Sequence, residues 1–236
     1  MAPPWRGAVN ALVGDLQRIF DDRLQSVVVY GSQAEHDGGE DPIHCLALVQ
    51  SLSAADLEAC SGRASSWARH GLATPLLLPI DEFRRSLDAF PLEYGEIIRA
   101  HHLAFGDDPF AGAVIARDDL RRACETQVKS HLLHLREAFI EAGGKPHAIA
   151  EVVTASASAF AALLRHVARL NDVSATDRTH ATQEGARLAG LPDSVVTAIL
   201  ALERPRAVAS TDAARLFADY LAAVERLATI VDTWKS

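Results

Sequence analysis

The chain has 236 residues, with 23 Lys plus Arg against 31 Asp plus Glu, 49% hydrophobic residues and 6% aromatics; this excludes a disordered or fibrous chain and allows one large domain or two ordinary ones. The formal charge of −8 falls wholly within residues 1–112, where eight Arg and no Lys stand against sixteen acids, while residues 113–236 carry fifteen charges of each sign, so neither part offers the clustered cations that neutralise nucleic-acid phosphates and no nucleic-acid partner is expected. No apolar run approaches the ~18–20 residues of a membrane span, and Met1-Ala2-Pro3-Pro4-Trp5-Arg6 lacks the basic start and apolar stretch of a signal peptide, so the expectation is a cytoplasmic protein with no membrane partner.

Val9, Leu12, Val13, Leu16, Ile19, Phe20 and Leu24 recur every three or four residues and predict an amphipathic helix over about residues 6–25. Ser26-Val27-Val28-Val29-Tyr30 is a short β-branched run stopped by Gly31-Ser32. It predicts a strand, followed by a polar, Gly-rich stretch from Gln33 to Asp41. Ile43 to Val49 predicts the partner strand. Ser53-Ala54-Ala55-Asp56 has the Ser-x-x-acid form of a capping box and opens a helix to about His70. Thr74-Pro75-Leu76-Leu77-Leu78 predicts a third strand, which Pro75 confines to a sheet edge or to its own first residues. Short helices are expected near residues 80–88 and 91–100, and His102 to Phe105 reads as one more short strand.

From Arg117 the texture changes to long Ala- and Leu-rich helical patterns, with the domain boundary expected near residue 112. An Asp118 cap opens a helix that reaches Gly143-Gly144 and carries Leu120, Cys124, Val128, Leu132, Leu135 and Phe139 on one face. Further helices are expected over about residues 147–171, 178–189, 192–203 with Pro192 in the first turn, and 211–234 with Thr211 as cap. Such helices, joined by short loops, make an antiparallel bundle. The apolar stripes are expected as core by default, and the extra stripe of Ile149, Val152, Val153, Phe160, Leu163, Leu164, Val167 and Leu170 also suits a homodimer or a protein partner. The fold class is therefore α+β: a mixed sheet with flanking helices in residues 1–112, then an all-α bundle in residues 113–236. Cys45, Cys60 and Cys124 are odd in number and widely spaced, which reads as buried reduced thiols.

Val28-Val29-Tyr30-Gly31-Ser32-Gln33-Ala34 resembles the start of the nucleotidyltransferase superfamily motif, in which a strand ends in Gly-Ser-x-Ala and a later Asp-x-Asp opens the next strand. The order helix, strand, Gly-Ser, strand, helix, strand, then helical bundle is similar to small bacterial and archaeal nucleotidyltransferases and aminoglycoside nucleotidyltransferases over most of the chain. The segment from Phe90-Pro91-Leu92-Glu93 through Phe105-Gly106-Asp107-Asp108-Pro109-Phe110 resembles the link between their two domains. The resemblance implies a nucleotidyltransferase-like sheet domain with a nucleotide-binding turn at Gly31 and Ser32. In an active member, glycine lets the backbone approach a triphosphate, the serine hydroxyl and nearby amides bind its oxygens, and two carboxylates at i and i+2 hold Mg²⁺.

Pro42 and His44 stand where the Asp-x-Asp belongs, with Ile43 between them. Proline has no ligand atom, and a single imidazole is a poor ligand for hard Mg²⁺. Sliding the register by one recovers Asp41 but makes Ile43 its partner, and the third strand offers only Thr74 and Leu76, with Asp81 past its end. Glu35, Asp37, Glu40 and Asp41 crowd the intervening stretch, either as solvated surface or as an atypical cation site. No metal ligand and no catalytic residue is assigned. Two readings follow. One is a nucleotidyltransferase-like protein that lacks metal-dependent transfer, has no cofactor and acts through nucleotide or protein binding. The other is a working enzyme that uses Mg²⁺ and an NTP, with an atypical metal site, to modify a small molecule or protein.

The remaining constellations read as structural. His101 and His102 are neighbours, and His131 and His134 lie three apart on a helix without an acidic or Cys partner one turn away. Arg63-x6-His70 matches a pattern of RNA-cleaving helical domains but falls in the first domain's helix. Ser156 and Ser158 have no His-acid partner in the sequence around them, and no Gly-x-Ser-x-Gly, phosphate-binding loop or dinucleotide fingerprint occurs.

Overall fold

The structure, a computed structural model, describes residues 3, 5–31, 42–173, 178–202 and 212–234. The chain divides into two compact units, Met1–Ala116 and Arg117–Ser236.

The first unit opens with helix α1 (Arg6–Phe20), which buries Val9, Leu12, Leu16 and Phe20 on one face. The apolar pattern predicted a helix to residue 25, but Asp21 takes a left-handed φ of 51° and stops it. One 3₁₀ turn follows, and Leu24 then opens strand β1 (Leu24–Tyr30). Strand β2 (His44–Val49) pairs antiparallel with β1, placing Tyr30 opposite His44 and Val28 opposite Leu46. Helix α2 (Ala54–Arg69) begins with the expected box: Ser53 Oγ accepts from the Asp56 amide, and the Asp56 carboxylate accepts from the Ser53 amide at 2.9 Å.

Strand β3 (Leu76–Pro79) pairs parallel with β2, and strand β4 (His101–Gly106) pairs antiparallel with β1. The order β3-β2-β1-β4 makes β3 an edge, as Pro75 requires, and moves its start two residues past Thr74. Helices α3 (Ile80–Arg85) and α4 (Pro91–Arg99) come between β3 and β4.

Both faces of the sheet are covered, and for that reason β1 reads Val-Val-Val instead of alternating. Val27, Val29, Cys45, Ala47 and Val49 belong to a core with Leu12 and Leu16 of α1 and Cys60 and Trp67 of α2. On the other face, Val28, Leu46 and Leu48 pack with Phe83, Tyr94, Ile97 and Phe110. Ala113 and Ile115 pack against this second cluster, so residues 107–116 belong with the sheet.

Asp15 ties α1 to α2. Its carboxylate accepts from Arg63 Nε at 2.9 Å, Arg63 Nη2 at 2.6 Å and Trp67 Nε1 at 3.0 Å. Arg63 of the Arg-x6-His pattern is therefore engaged structurally, and His70 Nδ1 turns to the Ser66 carbonyl.

The second unit consists of α5 (Arg117–Glu141), α6 (Pro146–Leu170), α7 (Arg178–Leu188), α8 (Asp193–Leu200) and α9 (Ala213–Thr233). Asp118 lies in the first turn of α5, not before it, and Pro192 is the residue preceding α8 instead of part of its first turn. Thr211, expected as a cap, lies outside the described residues. Helix α6 is the core of the unit. Ile149, Val153, Phe160, Leu163, Leu164, Val167 and Leu170 are buried within it, and Val152 of the same stripe is half-buried. The sequence predicts no run long enough to span a membrane, but α6 has that length and composition; twelve of its 25 residues are buried in this unit. At Gly185 of α7, an added Cβ would fall 1.8 Å from the Leu164 carbonyl oxygen, so only glycine permits this approach of α7 to α6.

Candidate nucleotide site

β1 ends at Tyr30, and Gly31 follows it at φ +82°, a conformation that suits glycine. The residue directly across from Tyr30 on β2 is His44. Paired residues of an antiparallel ladder share a face, and here the two rings lie 5.7 Å apart at 41°. His44 Cδ2 is 3.9 Å from where a Gly31 Cβ would stand, which puts the imidazole against the turn. His44 is half-buried, and among the described residues it makes no side-chain hydrogen bond or ion pair.

On the other side of Tyr30, β4 places His101. Its Nδ1 is 3.1 Å from the Ile98 carbonyl, its Nε2 is 3.5 Å from an Asp108 carboxylate oxygen, and its ring meets Phe110 edge-on at 4.6 Å. The end of the sheet thus carries a row His44–Tyr30–His101 across three strands. Burial, with the neighbouring Cys45 thiol, raises the Tyr30 pKa, so the phenol stays neutral and can donate.

Gly31 and His44 are brought together, while Pro42 lies exposed two residues before His44, preceding the Ile43–Leu72 bridge. Ser32, Glu35, Asp37, Glu40 and Asp41 lie outside the described residues. On the β3 side, Leu76 pairs with Leu46, and Asp81 is exposed in the first turn of α3. Among the described residues, no three His, Cys, Asp or Glu side chains come together to hold a metal ion. Of this pair, Pro42 offers no side-chain ligand atom and His44 a single imidazole, a poor ligand for hard Mg²⁺.

The His101–Asp108 contact was not foreseen. The only signals for it in the sequence were the short β4 run and the acid just beyond it. The other constellations remain structural. His131 Nε2 lies 2.7 Å from the Tyr220 hydroxyl, and His134 Nδ1 lies 3.3 Å from Glu137, an acid one turn away that corrects the expectation of none; the two imidazoles thus have different partners. Ser156 Oγ donates to the Val153 carbonyl within its helix, and Ser158 is exposed. Cys45, Cys60 and Cys124 are free and buried, and burial pushes the Cys45 and Cys124 thiols up to about 12. The second unit has a cavity of about 920 Å³ lined by Arg165, Arg178 and Arg187 together with Glu184 and Asp193. Its charge is mixed, with Arg187 bonded to Glu184, and it selects no one ligand class.

No protein-family model matches the chain, and no curated protein does. Among solved structures, it is similar to the spectinomycin adenyltransferase AAD(9) from Enterococcus faecialis, crystallised with ATP and spectinomycin. The TM-score is 0.59 at 11% sequence identity, over 94% of this chain and 98% of that one. At that identity the likeness is one of fold: the chain has a nucleotidyltransferase-like fold, a mixed sheet with flanking helices followed by a helical region.

Proposed function

We propose that the chain binds a nucleotide at the Gly31 end of its sheet and lacks metal-dependent nucleotidyl transfer. The observation that carries this reading is His44 paired with Tyr30 beside Gly31: the β2 position that faces the turn holds an imidazole, and Pro42 before it has no donor atom. Nucleotidyl transfer needs a divalent cation to bridge phosphate oxygens and offset their charge, and this pair of residues does not supply the oxygens such a cation takes. Gly31 and Ser32 are the residues proposed to meet the phosphates. On this reading the chain acts through nucleotide or protein binding, its partner being another protein or a second copy of the chain, and the nucleotide is not a substrate.

A second reading, transfer of a nucleotidyl group from an NTP to a small molecule or protein, is favoured by how completely the two chains match in a structure that holds ATP and an acceptor. It requires acids of residues 35–41 as cation ligands. Calorimetric titration with ATP, with and without Mg²⁺, separates the two. Under the first reading Mg²⁺ brings no gain in affinity for the wild-type protein, while the double variant Pro42→Asp, His44→Asp acquires Mg²⁺-coupled binding. Tight binding that requires Mg²⁺, accompanied by pyrophosphate release, establishes the enzyme.

A further inference from the structure

We infer that the outer face of α5 is a contact surface for a second copy of this chain, joined through an antiparallel α5–α5 pair centred between Arg136 and Glu137. The contact needs no nucleotide, so it stands or falls apart from the binding site proposed above, and it names the protein partner which that reading leaves open.

Helix α5 buries Leu120, Cys124, Val128 and Leu135 on one side. At about 100° per residue, Leu133 and Ile140 fall on the opposite side, where a helix of a globular protein ordinarily carries polar residues. They are 63% and 76% exposed. Single apolar residues in water are commonplace. These two, however, are seven positions apart, which is the repeat of a helix–helix seam and sets them about 10 Å apart along the axis. Phe139 beside them is already committed within the unit, its ring stacked on Phe217 of α9 at 4.1 Å.

The charges select the occupant. Between the two apolar residues the same face carries Arg136 and Glu137, both exposed. When a second copy of the helix runs the opposite way about a two-fold axis at this point, Leu133 lies opposite the second copy's Ile140 and Arg136 opposite its Glu137, and the reciprocal pairs follow by symmetry. A parallel pairing sets Arg136 against Arg136 and Glu137 against Glu137, like charge on like. The face is therefore complementary to itself in the antiparallel sense alone. Each charge has a neighbour within the chain, Glu225 at 2.6 Å for Arg136 and His134 at 3.3 Å for Glu137. Those pairs are exposed and weakly held, and a guanidinium has further N–H donors to share. Symmetry also makes every contact twice, so a patch of two apolar residues becomes a seam of four. Over residues 126–141 the face is about 24 Å long and 10 Å wide and buries a few hundred Å² per copy, below the ~800 Å² of a durable interface. The dimer is accordingly reversible, with a Kd on the order of 100 µM.

Sedimentation equilibrium of the full chain without nucleotide, from about 5 µM to about 500 µM, tests this. The chain is expected to be monomeric at the low end and to approach twice its monomer mass at the top. Leu133→Glu and Ile140→Glu should each weaken association about tenfold or more. Their urea midpoints should stay that of the wild type, because both side chains are exposed in the single chain. Arg136→Glu and Glu137→Arg should each weaken association too, since each sets like charges across the axis, and the double variant should recover it. A chain that stays monomeric to the top of the range overturns the inference. So does association unmoved by Leu133→Glu and Ile140→Glu, or a double charge variant that associates no better than either single one. None of these results bears on ATP binding, which the calorimetry above decides separately.

Discussion

Asp15 is 5% exposed, yet three donor side chains converge on it. Burial alone would raise its pKa. The bonds from Arg63, Trp67 and Arg18 outweigh that and hold the carboxyl below its ordinary value. Asn at this position keeps the shape and drops the charge-assisted bonds, so Asp15→Asn is expected to lower stability by about 1–3 kcal/mol. Urea denaturation should show this as an earlier midpoint at unchanged slope; an unchanged midpoint counts against it. Asp56 follows the same logic: bonds from Arg23, then from Ser53, keep it well below the usual carboxylate range. A carboxyl whose folded pKa is depressed stabilises above its unfolded value, about 3.9, and loses that contribution as pH falls through the lower folded value. The wild type should therefore weaken on acidification below about pH 4, with a shallower fall in Asp15→Asn.

Tyr220 links three helices, its hydroxyl standing 2.7 Å from His131 Nε2 of α5 and 3.4 Å from the Ser156 carbonyl of α6. Burial lowers the pKa of His131, helped by His134 nearby, and so keeps the imidazole neutral in the fold. Protonation then favours the unfolded chain. Stability is complete above the unfolded histidine value and falls as pH drops through the lower folded one. Thermal melts between about pH 7 and pH 5 should show this loss in the wild type and a smaller one in His131→Gln; superimposable pH dependences would refute the assignment. Elements of this kind differ in how far the sequence disclosed them. Helix α2 and β1 were legible because their causes are local, a reciprocal Ser53–Asp56 cap and a β-branched run buried on both faces. The end of α1 was not, because Leu24 continues the helical spacing while Asp21 has already broken the backbone. At the candidate site, the Gly31 turn was legible in the β-branched run that stops at it. His101 joins the row only through the pairing of β4 with β1, a long-range contact that periodicity does not encode.

At the scale of the whole molecule, each unit buries a core of its own, and each also encloses a cysteine thiol that ordinary reagents cannot reach. Cys45 sits in the sheet at 1% exposure and Cys124 in α5 at 0%, both with thiols pushed to about 12 by burial. The thiolate is the reactive species, so neither can be alkylated until its surroundings open and its acidity returns to normal. Cys45 and Cys124, the most deeply buried thiol of each unit, therefore act as separate clocks, distinguished by peptide from Cys60. Mass spectrometry of the chain under pulsed iodoacetamide should find both unlabelled in native buffer. In sub-denaturing urea it should give each its own labelling rate, set by the free energy at which its unit breathes. Prompt modification of either thiol in native buffer would contradict its enclosure.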